Sequence, residues 1–145
     1  MVYPNIIEAK IQQATLWSHK PMLDTRLRQI ISTRADEFKP YDRYGDPIQG
    51  MSWIPLSGEL QNSDFECFVL RMDAGAQSRP HEHMGAEEFL LLEGELIDCD
   101  GTVYHSGDFV RLLPGSKHSS HTSTGCTLMV MLRGGKNRPL EDEEL

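Results

Sequence analysis

The sequence predicts an all-β domain, a barrel or sandwich of short strands behind a less regular N-terminal segment. Three observations predict it. From Met51 onward, runs rich in Val, Leu, Phe and Met alternate with clusters of Gly, Pro, Asp and Ser at roughly 8 to 12 residue spacing, the rhythm of strands and turns. Asp100 and Gly101 lie between two such runs and suit a two-residue hairpin turn, which needs positive φ angles. The length of 145 residues, with 39% hydrophobic and 25% charged residues, fits one globular domain with a single core.

Taken in order, residues 1–50 read as an N-terminal arm and loop. Ile7, Ile11, Ala14 and Leu16 form a helical stripe, while Gln12, Thr15 and Trp17 suit a strand equally well. Leu23, Leu27, Ile30 and Ile31 repeat at helical spacing, yet the β-branched Thr25, Ile30, Ile31 and Thr33 could pair at a sheet edge. Asp36 to Gly50, with Pro40, Gly45, Asp46 and Pro47, reads as a loop. Residues 51–133 hold the strand candidates: Met51 to Pro55, Phe65 to Met72, Glu88 to Leu92, Leu96 to Cys99, Thr102 to His105, Phe109 to Leu113 and Thr127 to Arg133. Residues 134–145 read as an acidic C-terminal tail, ending in the solvated run Glu141, Asp142, Glu143 and Glu144. No internal repeat is visible.

Composition excludes several partner classes. A formal charge of -8 with 14 scattered basic residues argues against nucleic acid, whose phosphates require clustered Lys and Arg. No segment approaches the ~20 apolar residues of a membrane span, and Met1 to Lys10 does not read as a secretory signal, so a cytoplasmic location is expected. Cys67, Cys99 and Cys126 are odd in number and form no CxxC, as expected of reduced thiols buried in strands as small hydrophobes. The unpaired edges of a small barrel with a long arm favour a homodimer.

The informative stretch runs from Gly75 to Gly94. Strand residues two apart share a face, so His81 and His83 point the same way, and Glu87 shares their parity, giving three ligands from one hairpin. His118 can reach the same point from a neighbouring strand. Imidazoles suit zinc, copper, iron and nickel, and an added carboxylate leaves open positions on an octahedral ion, a catalytic arrangement. A lone histidine is more often a surface or satisfied core residue, and His19, His105 and His121 are read so. Glu88 has the wrong parity for a ligand, although one β-bulge would exchange it with Glu87. Trp53, Phe65, Phe68, Phe89 and Phe109 read as core, with some able to line a substrate pocket.

These residues resemble the cupin superfamily. Its first motif, Gly, five residues, His-x-His, three or four residues, Glu, six residues, Gly, is matched by Gly75, His81, His83, Glu87 and Gly94. Its second is matched at Gly107, Gly115 and His118, with Leu113 in place of the motif proline and Thr122 in place of its asparagine. The resemblance implies a double-stranded β-helix of the jelly-roll type over about residues 50 to 133. The run Glu87 to Glu95, with Pro114 to His118, looks like both the cupin domain of zinc-binding anti-sigma factors and the small diketone dioxygenase cupins.

The resemblance implies one divalent transition metal per chain on His81, His83, Glu87 and His118, with Fe(II) preferred and Zn, Ni or Mn possible. The activity it implies is a mononuclear Fe(II) dioxygenase that uses O₂ to cleave a C–C bond in a small diketone-like or hydroxyketone substrate. Acetylacetone dioxygenases use three histidines alone; Glu87 fits the more general three-His, one-Glu cupin site and could also accept a substrate proton. The alternative is a non-enzymatic zinc-binding cupin acting as a small-ligand sensor or regulatory module. A third class, the sugar isomerases and epimerases, would need an additional acid–base pair.

Overall fold

In a computed structural model of the chain, residues 23–57, 64–141 and 144 are described. The chain divides into two units, residues 1–31 and 32–145. Of the first, the described part holds a single 3-10 turn, Thr25–Leu27, capped by the Asp24 carboxylate, which accepts the Arg26 N–H at 3.0 Å. Ile30 and Ile31 belong to neither helix nor strand. The readings on Ile7 to Trp17 and on His19 lie outside the described residues.

Among the described residues, the second unit opens with a 3-10 turn at Ala35–Glu37 and continues through eleven strands. These are β1 (Lys39–Pro40), β2 (Met51–Pro55), β3 (Phe65–Met72), β4 (His81–His83), β5 (Ala86–Asp98), β6 (Val103–His105), β7 (Phe109–Leu112), β8 (Lys117–His118), β9 (Ser120–His121), β10 (Cys126–Arg133) and β11 (Asn137–Pro139). The larger sheet runs β1-β2-β3-β10-β5-β6, with β7 and β9 also pairing with β5, and the smaller runs β11-β4-β8. Every pairing is antiparallel. The architecture is an all-β jelly-roll barrel.

Alternation builds the core. The even-numbered residues of β3 and β10, among them Phe68, Leu70, Met72, Leu128, Val130 and Leu132, point inward and are buried. They meet Phe89 and Leu91 from β5 and Met51 from β2 in one apolar cluster. Each such burial stabilises the fold by roughly 1.5–3 kcal/mol.

Strand β5 departs from the sequence expectation, because Glu88 to Leu92 and Leu96 to Asp98 lie in one continuous strand of 13 residues, Ala86–Asp98, with Cys99 beyond its end. Gly94 is what permits it. There φ is +78° and a Cβ would lie 2.0 Å from the Gly125 carbonyl oxygen, so the strand passes a neighbouring turn at a distance only glycine allows. Beside it β10 pairs Thr127 with Glu93 but Leu128 with Leu91, leaving Leu92 as an extra, bulged residue. The bulge reverses parity: Glu87, Phe89 and Leu91 are buried before it, Leu96 and Asp98 after it.

The Asp100–Gly101 turn also differs from the two-residue expectation. Asp98 and Thr102 close the loop through the Asp98 N–H to Thr102 carbonyl bond at 2.9 Å, leaving Cys99, Asp100 and Gly101 as a three-residue connection. Only Gly101 has positive φ, +87°, whereas a type I′ turn needs two such residues. Cys99 is therefore exposed in a turn; Cys126 is buried in β10 and Cys67 half-buried in β3. Although His81, His83 and His118 are expected on strands, the sequence pattern sets no bounds for five strands, β1, β4, β8, β9 and β11. All are two or three residues long, too short to show alternation.

Candidate metal centre

His81 and His83 lie on β4, whose two-residue period turns both rings inward, and both are buried, His83 completely. His118 stands on β8 directly opposite His81 in the strand register. Glu87 arrives differently from expectation. β4 and β5 do not form a hairpin; they belong to different sheets joined by a corner at Met84 and Gly85. Gly85 makes the corner possible, since a Cβ there would meet the Arg133 carbonyl oxygen at 2.0 Å. Glu87 then faces the histidines across the barrel interior. One donor atom from each of His81, His83, Glu87 and His118 falls within 4.8 Å of the others.

Outer partners fix which nitrogen of each ring faces the centre. The His81 Nδ1–H donates to the Arg79 carbonyl oxygen at 2.8 Å. Ser116 Oγ gives its own proton to the Leu113 carbonyl at 2.6 Å, so at 2.8 Å from His83 it accepts the Nδ1–H. Asp98 Oδ1 accepts the His118 Nδ1–H at 3.0 Å. Three Nε2 lone pairs are thereby left pointing inward. That of His83 is buried without a hydrogen-bond partner, its nearest carboxylate oxygen being Glu87 Oε2 at 3.5 Å. Such an orphaned acceptor among two more imidazoles and a carboxylate suits a divalent transition metal.

The electrostatics agree. Burial would raise the Glu87 pKa, but His83, His81 and the Asn137 amide more than offset it and hold the carboxyl at about 2. Asn137 Nδ2 donates to Glu87 Oε2 at 2.5 Å from β11, which pairs Asn137 with His83 in register. Burial pushes the His81 pKa below the usual imidazole value, against the pull of Glu87. At neutral pH the site thus offers an anionic carboxylate beside a deprotonated imidazole.

His81, Glu87 and His118 line a pocket with about 520 Å³ of empty space, its open mouth included, together with Tyr41, Phe68, Phe89, Leu96 and Leu128 and the polar Ser78, Arg79, Ser120 and Asn137. Tyr41 and Tyr44 come from the segment before β2. The Tyr41 N–H donates to the Met51 carbonyl and the Ile48 N–H to the Tyr41 carbonyl, pinning that loop, while the buried Arg43 and Glu66 pair locks it to β3 with Nη2 to Oε2 at 2.7 Å. Burial raises the pKa of both tyrosines, so they stay neutral.

Other residues considered as ligands face elsewhere. Glu88 points out of the barrel between Arg111 and Arg133, at 2.7 and 2.8 Å. His105 and His121 are exposed. Of the aromatics, Phe68 and Phe89 line the pocket and Phe109 is 52% exposed. Thr122, standing in the place of the motif asparagine, is fully buried; its hydroxyl donates to the Glu95 carbonyl at 2.6 Å and accepts the Gly125 N–H at 3.0 Å.

With this geometry in view, a family model described as the ChrR cupin-like domain matches residues 29–135. The chain belongs to the ChrR cupin-like family. Among solved structures, this cupin is similar to an acetylacetone dioxygenase from Acinetobacter johnsonii, with TM-score 0.69, 14% identity and coverage of 100% of this chain and 88% of that one. It is also similar to the polyketide cyclase RemF from Streptomyces resistomycificus, with TM-score 0.62, 16% identity and coverage of 80% and 89%. An RmlC-like cupin from Shewanella frigidimarina aligns with TM-score 0.57, 20% identity and coverage of 81% and 97%. At these identities the likeness is one of fold. No functionally curated sequence matches significantly. Among the described residues no helix is long and apolar enough to cross a membrane.

Sequence reasoning missed Asp98, Ser116 and Asn137, which hold the cluster, and Tyr41 and Tyr44, which wall the pocket. Ser116 follows Gly115 in the second motif, so its place was visible. Asp98 was hidden by the Leu92 bulge, and Asn137 by lying beyond the last recognisable strand.

Proposed function

We propose that this ChrR-like cupin is a metal-dependent oxygenase that holds one Fe(II) on His81, His83, Glu87 and His118 and oxidatively cleaves a C–C bond in a compact diketone-like or hydroxyketone substrate. The observation that carries the reading is the convergence of three histidines and one carboxylate, three of them, His81, Glu87 and His118, lining a largely apolar pocket that Tyr41, Phe68 and Phe89 also line. Fe(II) in such a site would supply Lewis acidity toward a chelating ketone and a one-electron partner for O₂.

The chain's own residues account for the rest. Glu87, held ionised, supplies one negative charge against the ion's two, so a monoanionic enolate entering the pocket completes neutrality where uncompensated charge is costly. Asn137 restrains Oε2 of Glu87, the oxygen through which that carboxylate could take a proton from a bound substrate. Tyr41, Phe68 and Phe89 exclude water from the apolar end of the pocket and favour a small substrate. O₂-electrode traces with Fe(II)-loaded protein against β-diketones and hydroxyacetophenones test this. Substrate-dependent uptake that disappears in His81→Ala supports it, and no uptake with any compound overturns it.

The match to the ChrR cupin-like domain favours a second reading, a zinc-binding cupin that holds a small ligand without turning it over. Tight Zn(II) binding with silence in the O₂ electrode is its signature.

A further inference from the structure

The three histidines differ in what holds them. His81 leans on a backbone carbonyl and His83 on a hydroxyl, both neutral; of the three, His118 has a carboxylate on its Nδ1. We propose that Asp98, buttressed by Tyr104, is a positioning residue that fixes the tautomer of His118 and strengthens it as a metal donor. This rests on the metal-site reading above.

The geometry is closed on every side. Asp98 Oδ1 receives the His118 Nδ1–H at 3.0 Å and the Cys99 N–H at 2.8 Å, and Oδ2 receives the Tyr104 hydroxyl at 3.0 Å. The Asp98 and His118 side chains are each only 8% exposed. A carboxylate can only accept, so the His118 proton sits on Nδ1 and the Nε2 lone pair faces the centre. A buried carboxylate is costly unless its oxygens are met by donors, and three donors meet them here. Burial raises the Tyr104 pKa, with Asp98 adding to the rise, to about 12, so the phenol remains a donor.

The fold supplies this contact through two devices. The Leu92 bulge reverses the parity of β5 and turns Asp98 inward, and β9 pairs Ser120 with Asp98, bringing His118 two residues away to the same point. Metal-bound imidazoles gain basicity from a charged outer partner, and losing one weakens metal binding by roughly 10–100-fold. The rival role for Asp98 is to hold the β5–β6 turn through the Cys99 N–H. An amide oxygen can do that as well as a carboxylate, so Asp98→Asn separates the two.

The test measures Zn(II) affinity by competition with a chromophoric chelator, the visible d–d spectrum of the Co(II)-loaded protein, and thermal unfolding of the metal-free protein. It uses the wild type, Asp98→Asn and Tyr104→Phe. The expected result is a metal-free melting temperature within a few degrees of wild type, Zn(II) affinity roughly 10–100-fold lower in Asp98→Asn, a smaller loss in Tyr104→Phe, and a shifted Co(II) spectrum in both. A folded Asp98→Asn that binds Zn(II) as tightly as wild type, with an unchanged Co(II) spectrum, overturns the proposal and leaves the metal site standing. A wild type that binds neither ion overturns both readings. If Asp98→Asn does not fold, Tyr104→Phe decides: weakened Zn(II) binding with a shifted spectrum supports the relay, and wild-type behaviour overturns it.

Discussion

His118 Nε2 stands 3.2 Å from His81 Nε2, and each ring already spends its Nδ1 proton on an outer acceptor. Two lone pairs therefore face one another, and only a cation between them, a proton or a metal ion, relieves the repulsion. Metal and proton must compete for the same nitrogens. Once pH falls through the His81 pKa, which burial holds below the ordinary imidazole value, metal affinity is predicted to fall about tenfold per pH unit for the proton displaced there. Calorimetric Zn(II) titrations in buffers of different ionisation enthalpy, run across a descending pH series, check this; an affinity that does not fall with pH, and binding without proton release anywhere in the series, would contradict it.

Glu87 and Glu88 are adjacent in sequence and opposite in role. Glu87→Gln replaces an anionic donor by a neutral amide oxygen and is expected to weaken metal binding at least by the roughly 10–100-fold typical of losing an outer partner. Glu88→Gln should leave metal binding within about twofold, because that side chain contacts Arg133 and Arg111 instead. Its effect appears in acid unfolding. Arg133 and Arg111 lower the Glu88 pKa below its unfolded value, so the stabilisation is present above about pH 4.5 and is lost as pH falls through the folded value. Denaturation curves of Glu88→Gln should show a shallower acid limb than wild type, and an identical slope would count against the assignment.

Asn137 ties the C-terminal strand to the site. Asn137→Leu keeps the branched shape and removes the donor to Glu87 Oε2, so metal affinity should fall on the order of tenfold. The Glu87 pKa should rise from about 2, since one of the groups lowering it is gone. Unchanged chelator competition would show that the contact does not orient the carboxylate.

Gly94→Ala tests the pivot of β5. A φ of +78° costs a non-glycine residue about 1–3 kcal/mol, and the new Cβ would also meet the Gly125 carbonyl oxygen at 2.0 Å. Urea unfolding should show a loss above that range. A change under about 0.5 kcal/mol, the size of an ordinary surface substitution, would mean the bulge relaxes freely.

Legibility followed the length and periodicity of each element. β2 and β3 appeared at the bounds expected of them, because five and eight residues suffice to display alternation. His81, His83 and Glu87 could be grouped by parity alone, although they come together across a corner between sheets and not within a hairpin. Two-residue strands such as β8 and β9 have no period to read, so the position of His118 rested on motif spacing. Asp98 illustrates the limit most sharply. Counted from Glu87 it has outward parity, and only the bulged Leu92, a feature of strand pairing, turns it inward. Tyr41 reaches the pocket through hydrogen bonds to Met51 and Ile48, a tertiary arrangement that a Pro- and Gly-rich segment does not announce.

The proposed chemistry and the role of Asp98 depend on one ion occupying the four-residue centre. Untagged protein would be loaded anaerobically with Fe(II), desalted and analysed for metal by mass spectrometry, beside a His81→Ala/His83→Ala variant shown to be folded by circular dichroism. The account predicts about one ion per chain in the wild type and under about 0.1 in the variant. Equal loading of the two proteins, or a wild type that retains no metal, would contradict it.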